Sequence, residues 1–368
     1  MRIAQVAPLW ERVPPPAYGG IELVVGLLTD ELVRRGHEVT LFASGDSQTL
    51  AKLEAISPKA LRNFETDVDP THFYYLYLTL EMNRVCELSS EFDLIHSHIG
   101  FPFFPCANLT KAPTLHTIHG TIPVSEEHLW KAARQQNFIS ISNNQRRNDL
   151  GLNYLATVYN AINTKNFPFH PQPDKPPYLA FLGRMSPEKG PHLAVKIAKR
   201  TGLLLKMAGK IDPCDQQFFD TEVKPFIDGQ QIQFLGEADH QMKCDLMGRA
   251  MATLFPITWQ EPFGLVMIES MAVGTPVVAM KMGSTPEIIA HGRSGFLCNN
   301  LDECVAAVES LGEISRTDCR DHVVANFGVR QMVDGYEAAY QQLLQQKFMG
   351  DGHTKTIHQL KSFQRLSA

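Results

Sequence analysis

Short apolar runs alternate with helix-length amphipathic segments along most of this chain, a pattern typical of parallel β-sheets covered by helices. The runs predict six strands in the first part of the chain, at residues 2–7, 38–43, 93–97, 114–119, 138–141 and 157–159. A second series of predicted strands spans residues 178–182, 203–208, 232–235, 252–255, 276–280 and 295–297. The pattern therefore predicts an α/β protein with two doubly wound parallel-sheet domains.

The predicted helices and the domain boundary follow from the same pattern. The clearest helix is Ile21–Arg35, whose apolar residues share one face and which ends at Gly36. Residues 163–177 contain five prolines, which exclude a helix or a central strand. The predicted order is a first domain, a linker, a second domain, a final helix and a polar tail, at residues 1–163, 164–177, 178–329, 330–346 and 347–368.

Composition and charge narrow the class of protein. With 368 residues, of which 44% are hydrophobic, the chain has enough apolar surface for two cores. Residues 1–168 carry 14 basic and 17 acidic side chains and residues 169–368 carry 20 and 22, so neither half predicts nucleic-acid binding. No apolar run reaches the length of about 18 residues needed to span a membrane, which leaves only peripheral membrane contact open. Seven scattered cysteines without a Cys-x-x-Cys spacing indicate reduced thiols in a cytoplasmic protein.

Two glutamates eight positions apart, Glu261 and Glu269, are the most informative residues. Pro262 and Gly264 mark a loop, and the apolar pattern that begins at Leu265 predicts a helix that contains Glu269. At roughly 1.5 Å per residue, Glu269 lies about 7 Å along this helix from Gly264. The offset suits two carboxylates that hold the ends of an elongated ligand, with the positive helix N-terminus facing an anion between them. A nucleotide sugar has this layout.

Two cations follow the first predicted strand of the second domain. Arg184 can bind phosphate oxygens through its guanidinium fork and Lys189 can act as a point charge, so together they would neutralise a diphosphate leaving group. The alternative is a pair of solvated loop cations, with Glu188 as a partner. The neighbouring glutamate pair favours the phosphate-binding interpretation.

The first domain offers weaker signals. Gly19 and Gly20 precede its first long helix and let the backbone come close to a ligand, but the chain lacks the Gly-x-Gly-x-x-Gly pattern of nicotinamide-binding proteins. Histidines 96, 98, 116 and 119 stand at the ends of predicted strands. We predict that the first three are core or rim imidazoles and that His119, which enters a loop, contacts a ligand. Their spacings match no zinc pattern, so we expect no metal site.

Four motifs together resemble the retaining glycosyltransferases of family 4. They are Gly-Gly-Ile-Glu near the start, Gly183-Arg184 with Lys189-Gly190, the segment from Glu261 to Val278, and Gly-Ser-x-Pro-Glu-Ile from Gly283. The similarity extends from Met1 to about Gln346. It departs from the family where Asn160-Ala-Ile-Asn163 stands in place of Asn-Gly-Ile-Asp and where Ser270 replaces an alanine.

The resemblance implies a GT-B fold, in which two Rossmann-like domains face each other and the last helix crosses back onto the first domain. It also implies that Glu261 contacts the donor sugar, that Glu269 holds the ribose, and that His119 lies beside the transferred sugar. The predicted donor-binding residues are Gly19, Gly20, Arg184, Lys189, Glu261, Phe263, Gly264, Leu265 and Glu269, and the predicted catalytic residues are His119, Arg184, Lys189 and Glu261. The resemblance implies neither a metal nor another cofactor.

The expected activity is the transfer of a hexose from a nucleoside diphosphate sugar to an acceptor hydroxyl with retention of configuration. The family favours UDP-glucose as the donor, with GDP-mannose next. The acceptor, which we expect near residues 10–18 and 101–105, could be a saccharide, a lipid or a small metabolite. A sugar-nucleotide epimerase of the same architecture and a non-catalytic nucleotide-sugar-binding protein remain as alternatives.

Overall fold

The strands of the computed structural model, which describes residues 1–16 and 19–346, form two parallel sheets. The first sheet has the order β3-β2-β1-β4-β5-β6-β7 and the second has the order β10-β9-β8-β11-β12-β13. Their strands are β1 Arg2–Val6, β2 Glu38–Ser44, β3 Lys52–Ser57, β4 Leu94–Ser97, β5 Thr114–Ile118, β6 Asn137–Ser140, β7 Asn153–Thr157, β8 Tyr178–Leu182, β9 Leu204–Ala208, β10 Ile232–Phe234, β11 Ala252–Phe255, β12 Val277–Met280 and β13 Gly295–Cys298. Both orders reverse direction beside the first strand of the sheet, which is the arrangement of a doubly wound fold.

Helices cover both sheets. They are α1 Gly20–Arg34, α2 Pro70–Leu88, α3 Phe104–Ala107, α4 Glu127–Ala132, α5 Pro191–Thr201, α6 Gln216–Phe218, α7 His240–Gly248, α8 Leu265–Ala272, α9 Thr285–Ile288, α10 Leu301–Glu309, α11 Arg316–Asn326 and α12 over 329–346. The apolar stripe of α1 explains its position, since Val24, Leu28 and Leu32 are all fully buried against the first sheet.

Two edge strands differ from the sequence expectation. Most predicted strands agree with the structure to within one residue at each end. The strand predicted at 157–159 is wrong, because the chain pairs earlier, over Asn153–Thr157, and β3 at Lys52–Ser57 was not predicted. Both strands lie at an edge of the first sheet and are only half-buried. Edge strands lack the continuous apolar run that identifies a central parallel strand.

The final helix, α12, packs against the first domain. Its buried residues Tyr336, Tyr340 and Leu343 share one hydrophobic cluster with Ile3 and Leu115 of the first sheet. The preceding helix, α11, instead packs with α8 in the core of the second domain. The chain therefore crosses from the second domain back to the first between these two helices. The polar tail at 347–368 lies outside the described residues.

The proline-rich segment is fastened to the second domain. Apart from a short 3-10 turn at Thr164–Asn166 it has no regular structure. The Arg316 guanidinium donates to the backbone carbonyl of His170 at 2.7 Å, and Arg320 donates to the carbonyl of Thr164 at 2.9 Å. Charge-assisted bonds of this kind replace the backbone partners that the prolines cannot supply.

A buried carboxyl group without a partner lies on the inner face of α2. Glu81 is fully buried beside Leu78 and Val85, and neither of its carboxyl oxygens has a hydrogen-bond partner among the described residues. Burial raises the pKa of Glu81 well above its ordinary value of 4.5. The folded state therefore binds a proton that the unfolded state has released, and stability falls as the pH rises above about 4.5.

We expect Glu81→Met to raise the free energy of unfolding at pH 7 by about 1–3 kcal/mol, since it removes a buried polar group that has no partner. Urea unfolding at several pH values measures the change, and the gain should grow as the pH rises from 4.5 to 7. Glu87→Met, on the exposed face of the same helix, is the control and should change stability little. A Glu81→Met protein that is less stable than the parent at pH 7 would contradict the prediction.

Candidate functional site in the interdomain cleft

The carboxyl ends of the strands in the two sheets border a common cleft that contains two adjoining pockets. One pocket, of about 180 Å³, is lined by Glu269 and is called the Glu269 pocket. The other, of about 370 Å³, is lined by Glu261 and is called the Glu261 pocket. The two pockets share Arg184, Gly20 and Leu265 and so form one continuous cleft. Ligands of open parallel sheets bind at this edge of the strands.

Every residue in the predicted site borders one of the two pockets. The Glu261 pocket is lined by His119, Lys189, Glu261, Phe263 and Gly264, the Glu269 pocket by Gly19 and Glu269, and both by Gly20, Arg184 and Leu265. Although Phe263 borders the pocket, its side chain packs into the core of the second domain beside Tyr159 and Phe327.

Glu261 lies in the loop between β11 and α8 and is only 6% exposed. Its Oε2 accepts hydrogen bonds from Lys189 Nζ at 2.5 Å and from Trp259 Nε1 at 2.9 Å. The Lys189 ammonium also lies 4.8 Å from the centroid of the Trp259 ring. Two donors therefore hold the carboxylate through its Oε2 atom.

Gly283 holds the backbone of Glu261 in place. Its φ of +61° is a left-handed conformation, and a Cβ atom there would lie 2.3 Å from the Glu261 nitrogen. The following residue, Ser284, donates its N–H to the Glu261 carbonyl at 2.9 Å. Gly283, the first residue of the Gly-Ser-x-Pro-Glu-Ile motif, therefore lies directly against the Glu261 loop.

Glu269 lies inside α8 and is 3% exposed. Its Oε1 accepts a hydrogen bond from Lys243 of α7, and the two side chains form an ion pair. Helix α8 begins at Leu265 after Gly264, whose φ of +82° favours glycine. The start of α8 thus lies between the two carboxylates, as the eight-residue spacing predicts.

Arg184 is surrounded by carboxylates. It forms an ion pair with Glu188, and its nitrogens lie 3.6 Å from Asp212 and 3.7 Å from Asp215. The pairing with Glu188 that the sequence left open as an alternative therefore exists, yet Arg184 also lines both pockets. A phosphate that enters the cleft would compete with these carboxylates for the guanidinium.

His119 is the histidine that lines the Glu261 pocket. Its Nε2 lies 2.9 Å from Nδ1 of His98, and burial lowers the pKa of His119 to about 4, so the ring is neutral near pH 7. His96 and His98 are buried and hydrogen-bonded, and His116 is buried among aromatic rings. The imidazole of His119 can exchange hydrogen bonds with a ligand but does not supply a positive charge.

The two domains are joined at the cleft by Glu287 of the Gly-Ser-x-Pro-Glu-Ile motif. Its carboxylate accepts the backbone N–H groups of Asn143 and Asn144, both at 2.7 Å, and the Tyr159 hydroxyl at 2.9 Å. Burial, together with the hydroxyl bond to Glu287, raises the pKa of Tyr159 to about 12. This contact brings the motif residue to the domain interface.

Several residues at the cleft were not predicted from the sequence. Among them are Lys243 and Trp259, which hold the two glutamates, and Asn160, whose buried Oδ1 has no hydrogen-bond partner among the described residues. Asn160 also lines the Glu261 pocket. The sequence did contain a signal for Asn160, because it stands in the Asn160-Ala-Ile-Asn163 motif.

The aromatic residues in the region expected to bind the acceptor have different surroundings. Trp10 is 37% exposed and meets Tyr74 edge-to-face, with ring centroids 6.3 Å apart. Phe101 instead packs against Phe104 and Trp130. Tyr18 lies outside the described residues. The exposed ring of Trp10 is thus available to a ligand, whereas Phe101 belongs to an aromatic cluster.

Residues 1–16 and 19–346 contain no group of three or more His, Cys, Asp and Glu side chains that could hold a metal ion. Within the same part of the chain, no helix is long and apolar enough to cross a membrane.

Two family models match consecutive parts of the chain. The model described as Glycosyltransferase Family 4 matches residues 18–165, and the model described as Glycosyl transferases group 1 matches residues 163–321. A glycogen synthase from Mycobacterium tuberculosis is 27% identical over 361 residues, which cover 84% of this chain and 86% of the relative.

Two solved structures share the architecture. Sucrose-phosphate synthase from Thermosynechococcus elongatus has a TM-score of 0.70 at 19% identity, covering 97% of this chain and 99% of that chain. HepE from Anabaena, in complex with UDP and glucose, has a TM-score of 0.70 at 17% identity, covering 93% of this chain and 100% of that chain. The two facing parallel sheets and these likenesses show the GT-B fold. With its two matched regions together spanning residues 18–321, the chain belongs to the family 4, group 1 glycosyltransferases.

Proposed function

We propose that this glycosyltransferase moves a hexose from a nucleoside diphosphate sugar to an acceptor hydroxyl with retention of the anomeric configuration. The observation that carries the proposal is the position of two buried, lysine-paired glutamates in two pockets that share Arg184. An elongated ligand that is polar at both ends and anionic in the middle matches this cleft.

In this proposal the hexose occupies the Glu261 pocket. The Glu261 carboxylate would accept sugar hydroxyls, while His119 on the opposite domain and the buried Asn160 Oδ1 would bond others. The nucleoside would occupy the Glu269 pocket, where the carboxylate of Glu269 suits the two hydroxyls of a ribose. Carboxylates are strong acceptors for hydroxyl donors, so each pocket has a group that can orient one end of the donor.

The diphosphate would lie between the two ends. Arg184 lines both pockets and so lies at their junction, and Lys189 lines the Glu261 pocket. The start of α8 also lies there, with its backbone N–H groups and the positive end of its dipole. These groups would stabilise the negative charge that develops as the bond between the sugar and the diphosphate breaks.

The proposed reaction follows a front-face course. As the anomeric bond lengthens towards an oxocarbenium-like state, the acceptor hydroxyl approaches from the same side and the leaving phosphate takes its proton. A retaining hydrolase would instead use a carboxylate nucleophile about 5 Å from a second carboxylate. Glu261 is already held by Lys189 and Trp259 and lies in a different pocket from Glu269, which favours ligand binding over nucleophilic attack.

UDP-glucose is the first donor to test and GDP-mannose is the second. The fold is shared with HepE, whose structure contains UDP and glucose, and this supports a uridine donor without deciding it. We expect release of UDP or GDP from one member of a panel of nucleotide sugars, measured with a coupled assay. Proton NMR of the first-formed product should show the same anomeric configuration as the donor. Release from no member of the panel, with or without saccharide acceptors, would contradict the proposal.

We expect substitutions of the two glutamates to affect different properties, namely donor turnover for Glu261 and UDP binding for Glu269. We expect Glu261→Gln to lower donor turnover by about 10–100-fold while UDP affinity stays within about twofold, since this residue faces the sugar. Glu269→Gln should weaken UDP binding by about tenfold, because a charged acceptor for the ribose is lost. Calorimetric titration with UDP and steady-state turnover measure the two effects. If both variants weakened UDP equally, the assignment of the pockets would be wrong.

Lys189→Met should lower turnover of the donor by about 100-fold, because the leaving diphosphate loses a cation. Lys189→Arg keeps the charge and should recover part of the rate. Lys196→Met, on the exposed side of α5, is the matched control and should behave as the parent protein does. An unchanged rate in Lys189→Met would exclude the leaving-group role.

A further inference from the structure

A chain of buried hydrogen bonds connects α12 with the cleft histidine. It begins at the Tyr340 hydroxyl, which lies 3.0 Å from Gln5 Nε2 and 2.8 Å from His96 Nδ1. Gln5 Oε1 lies 2.9 Å from His98 Nε2, and His98 Nδ1 lies 2.9 Å from His119 Nε2. Tyr340, Gln5 and His98 are all buried, so water does not compete for these bonds.

The orientation of the Gln5 amide determines where the protons lie. Its NH₂ group donates to the Tyr340 hydroxyl, which therefore donates its own proton to His96 Nδ1. Its carbonyl oxygen faces His98 Nε2, and only a protonated nitrogen can donate to it. His98 is neutral, because burial lowers its pKa well below 6.5, so its Nδ1 carries a lone pair.

His119 must then donate its Nε2 proton to His98 Nδ1. Because His119 is neutral as well, its Nδ1 has no proton and remains as a hydrogen-bond acceptor. A ligand hydroxyl that meets this nitrogen must act as the donor. The opposite arrangement would need the Gln5 amide to turn over and His96, His98 and His119 all to move their protons, since each bond depends on the next.

We infer that Tyr340 is a positioning residue, which acts through Gln5 and His98 to present His119 to the donor sugar as a hydrogen-bond acceptor at Nδ1. The inference rests on the proposed function for the role of the sugar, whereas the position of the proton on His119 follows from the hydrogen bonds together with the neutral state of the two histidine rings. The final helix therefore contributes to the site without touching the ligand.

Tyr336 provides a matched control on the same helix. It is also fully buried, and its hydroxyl lies 3.1 Å from Thr117 Oγ1, which in turn lies 2.7 Å from His96 Nε2. This branch leaves the chain at His96 and does not pass through Gln5 or His98. Loss of the Tyr336 hydroxyl thus removes a comparable buried bond but leaves the path from Tyr340 to His119 intact.

The first test is long-range proton–nitrogen NMR of the parent protein labelled with nitrogen-15, with His119→Gln used to assign the His119 signals. The expected spectrum has a protonated Nε2 and an unprotonated Nδ1 at His119. A proton on Nδ1 would overturn the inference. This readout needs no substrate, so it stays decisive even if no sugar nucleotide is turned over and the proposed function fails.

The second test compares Tyr340→Phe with Tyr336→Phe. In Tyr340→Phe we expect mixed tautomers at His119 and about a tenfold lower kcat with an unchanged donor KM, the effect of one misaligned hydrogen bond in the transition state. Tyr336→Phe should retain the parent spectrum and kcat. Equal effects in the two variants, or an unchanged His119 spectrum in Tyr340→Phe, would reduce the network to a structural role.

Discussion

The cleft depends on the pairing of two buried glutamates with two lysines. A carboxylate that is almost fully removed from water is costly unless a cation and further donors accompany it. Lys189 lies just before α5 and Lys243 lies in α7, so the pairs tie α8 and its preceding loop to two neighbouring helices. The cleft consequently holds these charges in compensated form. In the proposed function, an anionic ligand would displace some of these carboxylate partners from Lys189 and Arg184, so its affinity would include the cost of that exchange.

The sequence predicts the second domain well because its central strands are buried on both faces and read as continuous apolar runs. The same regularity places Glu269 in α8 and Glu261 in the loop before it, since Pro262 and Gly264 mark the boundary. Lys243 carries no comparable signal, because a lysine on α7 looks the same whether it faces solvent or Glu269. Its role follows from the tertiary packing that brings α7 beside α8 and Lys243 against Glu269.

In the first domain, the polar residues are harder to interpret from sequence. His96 and His98 point to a cluster of imidazoles, and the sequence favours His119 among them. What the sequence does not reveal is that Gln5 and Tyr340, some 335 positions apart, complete the hydrogen bonds. Most buried polar groups have hydrogen-bond partners, but the sequence does not identify which residues those partners are. The half-buried strands β3 and β7 were misjudged for a related reason, since partial burial leaves no periodic signal.

The two halves of the site belong to different domains. His119 and the network behind it, including α12, pack within the first domain, whereas Glu261 and Glu269 belong to the second. The chain crosses between the domains at the connection of α11 to α12, so Tyr340 of α12 lies in the same domain as His119. A change in the angle between the domains would bend this connection and leave the contacts between α12 and the first domain in place. Closure would therefore alter the distance between His119 and Glu261 but not the hydrogen bond to His98. Each side of the site therefore has a hydrogen-bonding pattern fixed within its own domain, and in the proposed function a ligand long enough to contact both domains would stabilise a closed arrangement.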